Sequence, residues 1–118
     1  MQKIYHLSSC DTCKRIIKEL APSNGFLLQD IKHHHIDSNQ LEALRALSGS
    51  YQALFSKRAR LYKERALKEQ TLSEQDYKEL LLEHYTFLKR PVIVNQDQIF
   101  IGNSKKAVAQ AKISLQNK

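Results

Sequence analysis

The stretch SSCDTCKRI, residues 8–16, holds the only two cysteines of the chain, Cys10 and Cys13, three positions apart. Sulfur at that spacing has four chemical outlets: a reversible disulfide, half of a metal site, a nucleophile with a bystander, or two packed and inert thiols. A thiol in the first turn of a helix feels unpaired backbone N–H groups and the positive end of the helix dipole, and both favour thiolate. Lys14 and Arg15 act in the same direction, and Asp11 opposes them. The residue just before a helix points out of the turn, so Cys10 is expected to be the exposed nucleophile. Cys13 is then its neighbour one turn in, within disulfide reach.

A structural zinc site needs four ligands, and beyond the cysteine pair the chain offers His6, His84 and the run His33-His34-His35. Three consecutive histidines point in different directions on any regular backbone. No metal is therefore expected, and the run reads as a solvated loop. No Gly-rich phosphate loop is present either, so no bound nucleotide is expected.

With 118 residues, 42% of them hydrophobic and none of them Trp, the chain is expected to be one domain with a mainly aliphatic core. No run approaches the roughly 18 apolar residues of a membrane span, and the N-terminus has no signal-peptide pattern. The expected location is cytoplasmic, where a close cysteine pair is more often redox-active or metal-binding than a structural staple. The net charge of +7 suits nucleic acid, an acidic protein partner or an oxyanion substrate. Its densest stretch, SKRARLYKERALK at 56–68, interleaves cations with Leu, Tyr and Glu, and no groove-reading helix motif accompanies it. Direct nucleic-acid binding is therefore not expected.

The elements that must position the cysteines follow from periodicity. Residues 3–7 read as a strand, CKRIIKEL as a helix with Ile16, Ile17 and Leu20 on one face, and FLLQDI at 26–31 as a second strand parallel to the first. Asp37 and Gln40 mark the start of a helix that ends near Gly49, and a further helix is expected from about Tyr51, broken near the basic stretch. Thr71 and Glu74 read as a capping box ahead of a helix carrying Tyr77, Leu80, Leu81, His84 and Leu88. Residues 37–89 thus read as a helical block without strands. VIV and IFI around NQDQ form a hairpin, and a last helix from Ser104 carries Ala107, Val108, Ala111 and Leu115, with the final few residues frayed. The order is β-α-β, helices, β-β-α, an α/β fold on a central mixed four-stranded sheet.

Cys-x-x-Cys beside a strand–helix–strand unit points to the thioredoxin-type fold. That fold sets a proline, usually cis, at the start of its third strand facing the active cysteine, and KRPVIV supplies Pro91 there. Taken together, SSCDTCKRIIKEL, SKRARLYKE, LKRPVIV and IFIGNS resemble, in order and spacing, the arsenate reductase (ArsC)/Spx/YffB family. The resemblance implies a thioredoxin-like domain over 1–118 with a helical insertion at about 37–89. It also implies Cys10 as nucleophile, Cys13 as the second cysteine of an intramolecular disulfide, Arg58 and Arg90 as the site's arginines, and Pro91 as its binding-side proline. Two guanidiniums near a thiolate depress its pKa and can hold an oxyanion or carboxylate through forked hydrogen bonds. The chain also departs from the pattern. The insertion arginine of arsenate reductases proper aligns with Ser56, and Gly102 and Asn103 stand where those enzymes carry a third arginine, so oxyanion capture is expected to be weaker.

Two functions follow from the resemblance. The first is a thiol-dependent reductase of arsenate or of a disulfide or glutathione-linked substrate, drawing electrons from glutathione, glutaredoxin or thioredoxin with no bound cofactor. The second is a redox-sensing regulator resembling Spx, which binds RNA polymerase and uses the pair as a switch.

Overall fold

The computed structural model describes residues 1–116, which fall into two compact units, Met1–His34 with the described residues from Arg90 onward, and His35–Lys89. The expected fraying of the chain's last residues lies, for 117–118, outside the described residues.

The first unit is built on a four-stranded sheet in the order β2-β1-β3-β4. Strand β1 (Gln2–His6) pairs in parallel with β2 (Leu27–Asp30) and antiparallel with β3 (Val92–Asn95), which pairs antiparallel with β4 (Gln98–Ile101). The β1 register sets Ile4 opposite both Leu28 and Ile93, and His6 opposite Asp30. Helix α1 (Asp11–Leu20) presents Ile16 and Leu20 to Ile4, Ile93 and Ala111, the last from the terminal helix Lys105–Gln116. Ile17, Phe26, Phe100, Val108 and Leu115 pack around this cluster. Alternation then puts Tyr5, Val92 and Val94 on the other face, where they too are buried. At the β2 edge Leu27 and Leu28 stay exposed. The β3–β4 hairpin turns on only two residues, Gln96 and Asp97, with Gln96 at φ 58°, so the turn is tighter than the four-residue tip NQDQ suggests.

The helical unit begins with α2 (Ser38–Ser48), where Asp37 and Gln40 form a reciprocal capping box and Gly49, at φ 92°, closes the helix in the left-handed region. The helix expected from Tyr51 is absent. A single 3-10 turn spans Gln52–Leu54, Phe55 is extended and bridges Leu88, and only Arg60–Glu64 (α3) is α-helical in the basic stretch. The capping box of α4 (Glu74–Glu83) is Ser73 with Asp76, not Thr71 with Glu74. Glu74 is engaged elsewhere, accepting the backbone N–H groups of Tyr51 (2.8 Å) and Gln52 (3.0 Å) and so capping the 3-10 turn. Helix α4 also ends sooner than its apolar spacing suggests. His84 is extended (φ −147°, ψ 137°), Tyr85–Phe87 forms a 3-10 turn, and Leu88 lies in the bridge. Phe55 anchors the interior, stacked on Phe87 at 5.2 Å and edge-on to Tyr77 (4.9 Å) and Tyr62 (5.9 Å). The terminal helix of the first unit is α5 from here on.

Candidate active site

Strand β1 ends at His6, and the chain turns through Leu7, Ser8 and Ser9 into α1. The Cys10 N–H closes that turn on the Leu7 carbonyl (3.0 Å), while the Cys10 carbonyl accepts the first helical bond from Lys14 N–H (3.1 Å). Cys10 is therefore the N-cap of α1, with extended backbone at φ −93° and ψ 115°. A thiol is a poor replacement for the Ser, Thr, Asp or Asn that usually caps a helix, and Cys10 makes no cap hydrogen bond of normal geometry. Its sulfur nonetheless faces the amides of Cys13 and Thr12, the donors of the open first turn.

The two sulfurs lie in contrasting surroundings. Both cysteines are free; Cys10 is half-buried, and Cys13 is 1% exposed. Burial pushes the Cys10 thiol up, but the Cys13 amide, the Cys13 thiol, the Thr12 amide and the Arg90 guanidinium together outweigh it and bring Cys10 below the ordinary thiol value. Cys13 moves the other way. Burial, followed by the adjacent Cys10 sulfur, raises it to about 11 against the pull of the Leu7 amide and Arg90. The pair is thus polarised, with the outer sulfur giving up its proton more readily than the inner one.

Arg90 acts on both sulfurs from the segment that enters β3, joined to the buried Pro91 by a cis peptide bond, as expected for a proline at that strand start. The Pro91 carbonyl accepts Gly102 N–H (2.9 Å), tying this entry to the end of β4. About two-thirds of the chain separates Cys10 from Arg90 in sequence, and the antiparallel β1–β3 pairing brings their segments to the same end of the sheet. Arg58 belongs to the helical unit, where it is exposed in the turn before α3, with its N–H on Ser56 Oγ (3.3 Å). The histidine run is split. His33 Nδ1 lies 2.7 Å from Asp30, and the His35 ring meets the Leu82 carbonyl at 2.9 Å within the helical unit. Among the described residues no three His, Cys, Asp or Glu side chains gather as a metal site.

Sequence reasoning passed over Ser8 and Asp30. Ser8, two residues before Cys10, donates both its hydroxyl and its backbone N–H to the Asp30 carboxylate. The one available signal was the parallel pairing of the first two strands, which sets the acidic end of FLLQD beside the end of β1.

A family model comparison matches residues 5–111 to the ArsC family. The chain belongs to that family. ArsC proteins are thiol-based reductases, served by thiol reductants such as glutaredoxin or thioredoxin. An arsenate reductase from Vibrio cholerae shares the fold at TM-score 0.72 and 24% identity, over 93% of this chain and 98% of that one. An ArsC family related protein from Bacteroides fragilis does so at TM-score 0.78 and 23% identity, over 93% and 96%. A Staphylococcus aureus protein solved by NMR is 30% identical at TM-score 0.72, over 93% and 97%. No curated protein matches the sequence. The ArsC fold seen here, a mixed four-stranded sheet with flanking helices, is thioredoxin-like. Among the described residues no helix is long and apolar enough to cross a membrane.

Proposed function

We propose that the chain is a cytoplasmic thiol-dependent reductase whose nucleophile is Cys10 and whose resolving thiol is Cys13, acting on a disulfide or glutathione-linked substrate. The observation that carries this reading is the opposite displacement of the two thiols at the mouth of α1, Cys10 lowered and Cys13 raised to about 11. The Cys10 thiolate attacks one sulfur of the substrate; a Cys10–substrate disulfide forms as the substrate S–S bond breaks, and the departing thiolate takes a proton from solvent. Cys13 then loses its proton and attacks the Cys10 sulfur, releasing the second half of the substrate as thiolate and leaving a Cys10–Cys13 disulfide. Consuming the Cys10 anion in the first step removes one of the effects that hold the Cys13 proton, so the resolving thiol is activated only after the first bond has formed. Two glutathione molecules, or one glutaredoxin or thioredoxin dithiol, supply the two electrons that restore the pair.

Arg90 stabilises the thiolate in this scheme, and Arg58 joins it in neutralising negative charge on the substrate, with Pro91 on the binding side. Arsenate is the alternative substrate. Cys10 would bond to arsenic as hydroxide leaves as water, and a second thiol would complete the two-electron reduction to arsenite as a disulfide forms. We take residues 1–118 as one thioredoxin-like domain for this purpose. The exposed cations Lys57, Arg58 and Lys63 favour a second reading, a sensor resembling Spx that docks on RNA polymerase.

The test assays arsenate and mixed-disulfide reduction with glutathione or thioredoxin for Cys10→Ser and Cys13→Ser. Turnover by the parent chain that disappears in Cys10→Ser supports the reductase. Full turnover by Cys10→Ser removes the nucleophile assignment, and oxidation that changes polymerase affinity without any turnover favours the sensor.

A further inference from the structure

We propose that Asp30 is a positioning residue for the Cys10 thiolate, holding the β1–α1 turn through Ser8; this rests on Cys10 being the nucleophile. Asp30 ends β2 directly across from His6, the last residue of β1, so its carboxylate sits where the neighbouring strand gives way to the cysteine turn. One of its oxygens accepts the Ser8 hydroxyl, and the other faces the Ser8 N–H at 3.4 Å. The carboxylate is itself held in place, meeting His33 Nδ1 at 2.7 Å and accepting Lys32 N–H at 3.2 Å. The Asp30 backbone is fixed as well, its carbonyl accepting the N–H groups of His33 (3.2 Å) and His34 (2.8 Å), while Ile31 N–H extends the ladder to the His6 carbonyl (2.9 Å). A charge-assisted bond from such an anchor is stronger and shorter than a neutral one, and it restrains a residue only two positions from the sulfur.

Cys10 needs such a restraint because its thiol makes no cap bond of normal geometry that would lock it onto α1. The sulfur gains from the Thr12 and Cys13 amides only while the turn aims it at them. The groups facing Asp30 are Ser8, His33 and the Lys32 amide, with His6 opposite across the ladder, and the Ser8 hydroxyl is the largest influence keeping Asp30 far below the usual carboxylate range. The anchor is therefore an anion throughout the range in which Cys10 titrates.

The sign of the effect separates positioning from simple electrostatics. Deleting a nearby negative charge would by itself lower the thiol midpoint, whereas loosening the turn raises it. The experiment follows the pH dependence of iodoacetamide alkylation at Cys10, resolved from Cys13 by peptide mass, in the intact chain and in Ser8→Ala, Ser8→Thr, Asp30→Ala and the Ser8→Ala/Asp30→Ala double variant. Expected are midpoints raised by roughly half to one unit in both alanine variants, no further rise in the double variant, and a parental midpoint in Ser8→Thr, which keeps the hydroxyl. Unchanged or lowered midpoints in Ser8→Ala and Asp30→Ala, or shifts that simply add in the double variant, overturn the proposal. Ser8→Ala removes a single hydroxyl and keeps the test decisive where Asp30→Ala does not fold. The parental chain reports separately on the reductase reading: a Cys10 midpoint at or above 9.0 there defeats that reading, whatever the variants do.

Discussion

The sheet unit and the helical unit use their polar groups for different ends. In the helical unit the capping residues close on backbone: Asp37 with Gln40, Ser73 with Asp76, and Glu74 on the Tyr51 and Gln52 amides, around an interior organised by Phe55. In the sheet unit the corresponding position at the start of α1 holds a sulfur that leaves its helix amides incompletely satisfied, and the polar support comes from Asp30 at the end of β2, acting through Ser8 two residues back in the turn. Helix starts are finished where stability is at stake and left open where a reactive anion is to be stabilised. The same backbone donors serve either purpose, and the residue type at the N-cap decides which.

The largest expected effect that tests this contrast is Cys10→Ser, which should cut reductase turnover by at least about 10³-fold while leaving the thermal transition in place, since serine is a good N-cap. A lowered melting temperature would mean that the sulfur is structural. Next is Phe55→Ala, which removes the stacked centre of the helical unit and should cost about 3–5 kcal/mol by denaturant titration. Hydrogen exchange should accelerate first in α2 to α4, and an equal acceleration in the β1 and β3 amides would erase the distinction between the units. Arg90→Ala should raise the Cys10 midpoint and slow its alkylation at pH 7 roughly threefold to tenfold, with circular dichroism unchanged. Ser73→Ala should lose about 1 kcal/mol, the usual worth of a cap, and Ser73→Thr should recover most of it.

The smallest effect concerns acid. The Asp30 carboxyl lies below its ordinary value of 3.8, with the Ser8 hydroxyl the chief cause, and Asp76 is lowered by its bonds to Ser73. A depressed folded pKa means that the stabilisation is complete above the unfolded value, near pH 4, and is lost as pH falls below it. Melting temperature should therefore drop with acidification below about pH 4, and less steeply in Asp30→Asn.

Much of the framework was legible because local rules and tertiary structure agree. Apolar runs of strand length gave the four strands, the Asp37–Gln40 frame gave α2, and Cys-x-x-Cys with Pro91 gave the two segments that converge at one end of the sheet. The misreadings arose where two local rules overlapped. TLSEQD contains two capping frames two residues apart, and Glu74 belongs to neither because it caps a turn 22 residues earlier. The helical spacing through His84 and Leu88 continues past the end of α4, since Leu88 is buried by its bridge to Phe55 rather than by a helix face. Asp30 left no trace in periodicity, because its role depends on a neighbouring strand and one hydroxyl.

The course of the chain at the rim of the sheet has a consequence for how such proteins diversify. With β2 parallel to β1 and β3 running against it, residue 34 departs and residue 90 returns at the same end from which Cys10 emerges. The excursion between them can grow, shrink or exchange its surface without shifting any strand register.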